Sequence, residues 1–113
     1  MAKNLHLRFR LWVFADDTPY LGIGPVELLE KINKYGSIAK AAASMNMSYR
    51  KAWQLVQNMN EIADTPLVIT KLGGSKGGGA EVTEKGKHVV EQYHLLEKDM
   101  EVFLKEKMNR LDW

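Results

Sequence analysis

Residues 37–58 read SIAKAAASMNMSYRKAWQLVQN, and this stretch decides the fold. Ser37 and Ser48 each precede a run of helix-forming residues, and a serine hydroxyl there can accept a hydrogen bond from an unpaired backbone N–H. Between the two runs, Asn46 is flanked by two methionines, and asparagine tolerates the left-handed conformation that a sharp turn needs. The alanine-rich first run makes a slim helix that a second helix can approach closely. The stretch predicts two helices joined by a tight turn.

The second predicted helix has two different faces. Its apolar residues recur at helical spacing and predict a face that packs on a core. These residues are Ala52, Leu55, Val56, Met59 and Ile62. The opposite face has side chains of the types that hold phosphates and read base edges. These are Tyr49, Arg50, Lys51, Gln54, Gln57 and Asn58. The pattern predicts a helix-turn-helix that binds DNA, and an ordinary helical hairpin with a solvated outer face is the alternative. Trp53 and Leu55 are assigned to packing.

The charge distribution supports the DNA interpretation. The formal net charge of the 113 residues is only +2, but residues 31–80 contain seven basic and two acidic residues. From residue 88 onward the balance is reversed, with four basic and six acidic residues. A local concentration of positive charge favours phosphate binding more than the overall net charge does.

The segments before the helix-turn-helix predict a strand pair and one helix. Apolar and polar residues alternate over residues 5–14, which is typical of a half-buried strand. A turn at Asp16-Asp17-Thr18-Pro19 allows residues 20–23 to return as a short second strand. Pro25 suits the first turn of a helix. Its apolar face includes Val26, Leu28, Leu29, Ile32 and Tyr35, and Gly36 ends it.

A β-hairpin is predicted after the helix-turn-helix. Residues 67–70 are β-rich, residues 71–80 read KLGGSKGGGA, and residues 81–83 can pair back. A helix-turn-helix followed by such a hairpin is a winged helix. We expect Lys71, Ser75 and Lys76 of this wing to contact the DNA backbone or minor groove.

The last predicted helix runs from Glu84 to about Arg110, with Thr83 as its cap. Apolar positions separated by three or four residues form a seam along it. They are Gly86, Val89, Tyr93, Leu96, Met100 and Phe103. A domain of this size cannot cover so long a seam, so we expect a homodimer in which Val89, Tyr93, Leu96, Met100 and Phe103 contact a second copy. The alternative is a helix that folds across its own domain.

The predicted fold class is mainly α with a small β part, in a single domain over residues 1–113. The N-terminal strands occupy 1–24, the helix, helix-turn-helix and wing 25–83, and the long helix 84–113. The sequence contains no cysteine, no signal-peptide pattern and no membrane-spanning apolar run, so a reducing cytoplasm is expected. The three histidines have no credible catalytic or metal-binding arrangement. We therefore expect neither an enzyme nor a cofactor or metal site.

Two runs identify a family. GSIAKAAASMNMSYRKAWQLVQNMN and PLVITKLGGSKGGGAEVTEKGK closely resemble the N-terminal DNA-binding domain of ModE-type molybdate-responsive transcription regulators. A more distant similarity is to LysR-type regulators. Over residues 20–110 the resemblance implies a dimeric, sequence-specific DNA-binding domain with Tyr49, Arg50, Lys51 and Gln54 near bases or phosphates. Full-length members also have a C-terminal molybdate-binding domain, which has no counterpart in these 113 residues, so molybdate is not an expected ligand of this chain.

Two other functions are compatible with parts of the sequence. A winged helix can act only as a docking or dimerisation module, although the basic residues of the predicted DNA side favour DNA. The glycine-rich segment could also form an anion-binding nest for a phosphorylated ligand. The P-loop pattern places its lysine after the glycines and before a helix, whereas Lys76 precedes a glycine run and a strand.

Overall fold

The computed structural model describes the backbone of residues 3–74 and 77–113, with side chains described for 3–71 and 79–113. The elements in chain order are β1 (Val13–Ala15), β2 (Thr18–Leu21), α1 (Ile23–Tyr35), α2 (Ile38–Ser44), α3 (Tyr49–Ile62), β3 (Val68–Gly74), β4 (Gly77–Val82) and α4 (Glu84–Arg110). Strands β1 and β2 pair antiparallel, as do β3 and β4, in two separate sheets. The architecture confirms the predicted fold class, a winged helix-turn-helix with a long last helix.

The core lies between α1, α2, α3, the base of the wing (the hairpin β3–β4) and the first turns of α4. Its largest fully buried side chains come from α1, α3 and the residue before β3. They are Val26, Leu28, Leu29, Ile32, Val56, Met59 and Leu67. Tyr35 differs from its predicted place on the apolar face of α1, because its ring is exposed and the Lys34 ammonium lies 5.3 Å from the ring centroid.

The caps and turns of the helix-turn-helix confirm the local sequence signals. Ser37 accepts a hydrogen bond from the Lys40 N–H at 3.2 Å, and Ser48 accepts one from the Lys51 N–H at 3.1 Å. Asn46 has φ of 53°, the left-handed conformation predicted for the turn. These local bonds explain why α2 and α3 begin where they do, and the Asn46 conformation allows the tight turn between them.

The predicted N-terminal strand over residues 5–14 is wrong for most of its length. Only Val13–Ala15 is a strand, and residues 3–12 have no regular secondary structure. The reason is the length of the partner, since β2 has four residues and pairs only with those next to the turn. The side-chain alternation is kept from Leu11 to Ala15, where alternate residues are half-buried.

Helix α4 spans 27 residues, as predicted, but its two parts have different surroundings. Gly86, Val89 and Tyr93 are buried against the rest of the same chain. Beyond Tyr93 the helix extends away from the core, and the longest dimension of the molecule is 62 Å. None of the helices in the described ranges is both long and apolar enough to cross a bilayer.

Candidate nucleic-acid interface

Helix α3 presents a polar, basic face to the surface. Its opposite face is buried through Ala52, Val56 and Met59. The sequence-predicted residues Ser48, Tyr49, Arg50, Lys51 and Gln54 are exposed, and Asn58 is half-buried at the far end of the face. The Gln54 Nε2 donates to Asn58 Oδ1 at 3.0 Å, so these two amides are held together one helical turn apart.

The N-terminal end of α3 concentrates positive charge. Arg50 and Lys51 lie in its first turn, and that turn contains no acidic residue. The backbone N–H groups and the helix dipole add partial positive charge at the same end. The end of the helix that carries the two cations can therefore hold an anion such as a phosphate.

Trp53 lies on this exposed face, which contradicts its assignment to packing. Its side chain is 42% exposed, while Leu55 is half-buried against the core as predicted. With 3.6 residues per turn, Trp53 is rotated by about 100° from Ala52 and so leaves the apolar stripe. The sequence spacing could therefore have indicated that Trp53 is exposed. Its exposure makes Trp53 a candidate contact residue that the sequence analysis missed.

Two sets of hydrogen bonds fix the wing relative to the helix-turn-helix. The Asn60 carboxamide of α3 accepts from the N–H of Leu67 at 2.8 Å and that of Val68 at 3.2 Å, and donates to the Val68 carbonyl at 2.9 Å. On the other strand, the Ala80 N–H donates to the Gly36 carbonyl at 3.0 Å. Both strands of the wing are therefore attached to the body, and sequence reasoning had assigned no role to Asn60.

Lys71 brings the wing next to the beginning of α3. It lines the same shallow depression as Ser37 and Tyr49. Its Nζ forms an ion pair with Glu81 Oε2 at 3.0 Å, and this hydrogen bond, with the charge of Lys71, lowers the pKa of the Glu81 carboxyl. The other two predicted wing residues, Ser75 and Lys76, lie outside the described residues.

The five residues predicted for dimerisation fall into two groups. Val89 and Tyr93 are covered by their own chain, and the Tyr93 hydroxyl donates to the Leu11 carbonyl at 2.8 Å. Burial raises the pKa of Tyr93. The remaining residues lie on the extended half of α4, where Leu96 and Phe103 are exposed and Met100 is half-buried. Leu95 and Val102 add to this exposed apolar surface, although the seam did not include them.

His94 of α4 interacts with two carboxylates, one on its own helix and one on α1. Its Nδ1 is 2.9 Å from Glu97 Oε1, and its Nε2 is 3.4 Å from Glu30 Oε1 on α1. The hydrogen bond to Glu97, followed by the charge of Glu30, raises the pKa of His94 although partial burial opposes this. Within the described ranges no three His, Asp or Glu side chains are grouped as metal ligands.

Comparison with known proteins shows which protein family has this helix-turn-helix and wing. Residues 24–87, which include nearly all of α1, the helix-turn-helix and the wing, match the family described as bacterial regulatory helix-turn-helix proteins of the lysR family. The match covers more than half of the chain, and the chain belongs to this family.

The individual relatives of this chain include proteins named ModE. The chain is 38% identical over 87 residues to the molybdenum transport protein ModE of Azotobacter vinelandii, covering 77% of this chain and 32% of that protein. It is 37% identical over 92 residues to the DNA-binding transcriptional dual regulator ModE of Escherichia coli K12, covering 81% and 33%. It is 40% identical over 79 residues to the molybdenum-pterin-binding protein MopA of Rhodobacter capsulatus, covering 70% and 30%. The chain spans about a third of the length of these relatives.

Proposed function

We propose that this chain is a sequence-specific DNA-binding transcription regulator. The observation that supports this most is the exposed polar face of α3, which begins beside Lys71 of the wing and is kept free of acidic residues in its first turn. B-DNA admits a helix into its major groove, and a wing beside that helix can reach the backbone. The proposal places the protein in the cytoplasm, together with its duplex partner.

The residues of the interface divide into two roles. Arg50 and Gln54 are assigned to base edges, because a guanidinium and a carboxamide can each form two hydrogen bonds to a base. The remaining candidates position the protein on the phosphates and carry little sequence information. These are Ser48, Tyr49, Lys51, Asn58, Lys71, Ser75 and Lys76. Trp53 offers an apolar surface for a thymine methyl group.

The proposal includes a homodimer formed through the extended half of α4. We define the distal strip as Leu95, Leu96, Val102 and Phe103, four apolar residues on neighbouring positions of the helix surface, all more than 40% exposed. Covering them with the same strip of a second copy removes apolar area from water twice, because a two-fold interface repeats every contact. The two α3 helices would then read half-sites about 34–36 Å apart.

Molybdenum is not part of the proposal. The relatives whose printed names mention it are matched over about a third of their length. The residues in this chain support a duplex DNA partner and a second copy of the chain, so the proposal involves neither molybdate nor a cofactor.

Fluorescence anisotropy across a salt series tests DNA binding directly. A selected specific duplex and a random duplex are compared for the wild type and for Arg50→Ala. We expect the variant to lose about 1–3 kcal/mol of discrimination between the duplexes, the usual value of a bidentate base contact. Lys105→Ala, which removes one positive charge on the side of α4 that faces Leu5 and Leu7, is the matched control and should keep the discrimination.

Two results would contradict the proposal. One is the absence of binding at low salt, and the other is an affinity that does not change with salt, because phosphate contacts release counterions. Selection of bound sequences from random duplexes adds a test of symmetry. A two-fold symmetric motif supports the dimer, and a single asymmetric half-site argues against it.

A further inference from the structure

The wing contains an acidic residue placed to interact with one of its own DNA-binding candidates. In the register of the hairpin, Lys71 is opposite Gly79 and Ile69 is opposite Glu81, so Lys71 and Glu81 are diagonal neighbours on one face. Directly opposite residues share a face, and a diagonal pair is within reach of a long side chain. Because Gly79 has no side chain, nothing stands between the Lys71 stem and the Glu81 carboxylate, and their charged atoms meet at 3.0 Å.

The stability of the fold does not account for this pair. Both side chains are largely exposed, 64% for Lys71 and 53% for Glu81. Ion pairs at such positions contribute little to folding, because water and salt screen them and two long side chains lose freedom. Each strand of the wing is already attached to the body through Asn60 and Gly36.

The position of the pair suggests a consequence for DNA binding. Lys71 shares one depression with Tyr49 of α3 and a second with Gly36 and Glu81. Residues 31–80 contain only two acidic side chains, and Glu81 follows this basic stretch immediately. A phosphate that approaches Lys71 therefore also meets the negative charge of Glu81.

We propose that Glu81 restrains DNA binding by competing with the phosphate backbone for Lys71. This inference rests on the proposed function. A lysine that is already neutralised by a carboxylate gains less from a phosphate, and the neighbouring carboxylate repels that phosphate. The restraint acts on phosphate contacts, which do not depend on sequence, so it lowers the affinity for any duplex and leaves discrimination by Arg50 and Gln54 unchanged.

The decisive variant is Glu81→Gln, which keeps the shape of the side chain and removes its charge. Its matched control is Glu101→Gln, which removes the same charge on the extended half of α4, on the side that faces Leu5 and Leu7 and not on the distal strip. Anisotropy titrations over a salt series with specific and random duplexes give the affinity and its salt slope. We expect Glu81→Gln to bind both duplexes several-fold more tightly at low salt, with a slope steeper by about one, the value for one additional phosphate contact.

A double-mutant cycle assigns the effect to Lys71. Lys71→Ala should weaken binding more in the Glu81→Gln background than in the wild type, because only there is Lys71 released for phosphate. Equal losses in the two backgrounds, an unchanged slope for Glu81→Gln, or equal gains for Glu81→Gln and Glu101→Gln would overturn the inference while leaving the proposed function intact. If the wild type binds no duplex at any salt concentration, the proposed function fails, and this inference fails with it.

Discussion

The two halves of α4 have the same apolar periodicity and different neighbours. From Glu84 to Tyr93 the helix packs into the body of the molecule, and Gly86, Val89 and Tyr93 are buried. From Leu95 onward the apolar residues of the outer face are exposed, with Phe103 52% accessible. The comparison shows that helical spacing identifies an apolar stripe without identifying what covers it.

The first half is covered because the chain brings other elements against it. The Thr83 hydroxyl accepts from the Gly86 N–H at 3.0 Å and donates to the Pro66 carbonyl at 2.7 Å, which attaches the start of α4 to the base of the wing. Val89, four residues before Tyr93, contributes to the core. The close contact at Gly86 then lets the helix lie against the backbone of Leu67.

The second half is only partly covered. Leu5, Leu7 and Phe9 of the N-terminal segment lie beside Leu104 and Met108 on one side of the helix. The distal strip lies on another side and remains exposed. The N-terminal segment is therefore the cover that the chain supplies itself, and the proposed second copy is the cover for the remainder.

Gly86→Ala is the largest expected perturbation of the first half. A Cβ at this position would collide with the Leu67 carbonyl oxygen and with Val82 Cγ1. Alanine favours a helix interior by about 1 kcal/mol. Overpacking against backbone costs about 1–3 kcal/mol and can cost more, so we expect a net loss of stability in urea unfolding.

Gly24→Ala in α1 is the matched control for Gly86→Ala, because a Cβ there meets no atom within 4 Å. It should leave the unfolding midpoint unchanged or raise it. Equal midpoints for the two variants would show that the start of α4 is not closely packed on the wing.

Phe103→Glu should weaken dimerisation, which we assign to the second half of α4, without disturbing the packing of the first half. Because Phe103 is exposed in the single chain, the variant should unfold at nearly the wild-type urea concentration when both are measured below the dissociation constant of the wild-type dimer. Loss of a buried aromatic side chain costs about 1.5–3 kcal/mol, and two-fold symmetry counts it twice, so we expect the dimer dissociation constant to rise about a hundredfold or more. Sedimentation equilibrium measures this constant.

Lys105→Gln provides the same change of net charge on the side of α4 that faces the N-terminal segment, and it should leave the dimer intact. If Phe103→Glu remains as dimeric as the wild type, the distal strip is not the interface. A monomeric wild type would favour the other interpretation of the long helix, in which its contacts are with its own domain only.

Sequence reasoning succeeded where the cause was local. The serine caps, the turn at Asn46 and the hairpin after α3 depend on residues close together in the chain, and the structure confirms each of them. It failed for residues 5–12, because an alternating segment becomes a strand only when a partner strand of sufficient length lies beside it.

The candidate site shows the same limit. The polar face of α3 was evident from spacing, but the attachment of the wing by Asn60 joins residues separated by seven and eight positions through a side chain that no motif indicated. The pair of Lys71 with Glu81 depends on the register of the hairpin, which the glycine-rich sequence left open. Such contacts depend on tertiary geometry, so they could be recognised only from the structure.

The smallest expected effect concerns His94, near the boundary between the two halves of α4. Its pKa is raised in the folded state, mainly by the hydrogen bond to Glu97 and further by Glu30 across the contact with α1. The protonated form is therefore the stabilised one. Its contribution is complete below the unfolded pKa of about 6.5 and is lost as the pH rises through the higher folded value.

His94→Gln should consequently lower the free energy of unfolding more at pH 5.5 than at pH 8. Because the His94 side chain is about half exposed, solvent screens its pairs, and we expect a difference well below that of Gly86→Ala. Urea unfolding at the two pH values measures it, with His88→Gln on the same helix as the control. If both histidine variants show the same pH dependence, the link between α1 and α4 through Glu30 contributes nothing specific, and the contact between the helices depends on apolar packing alone.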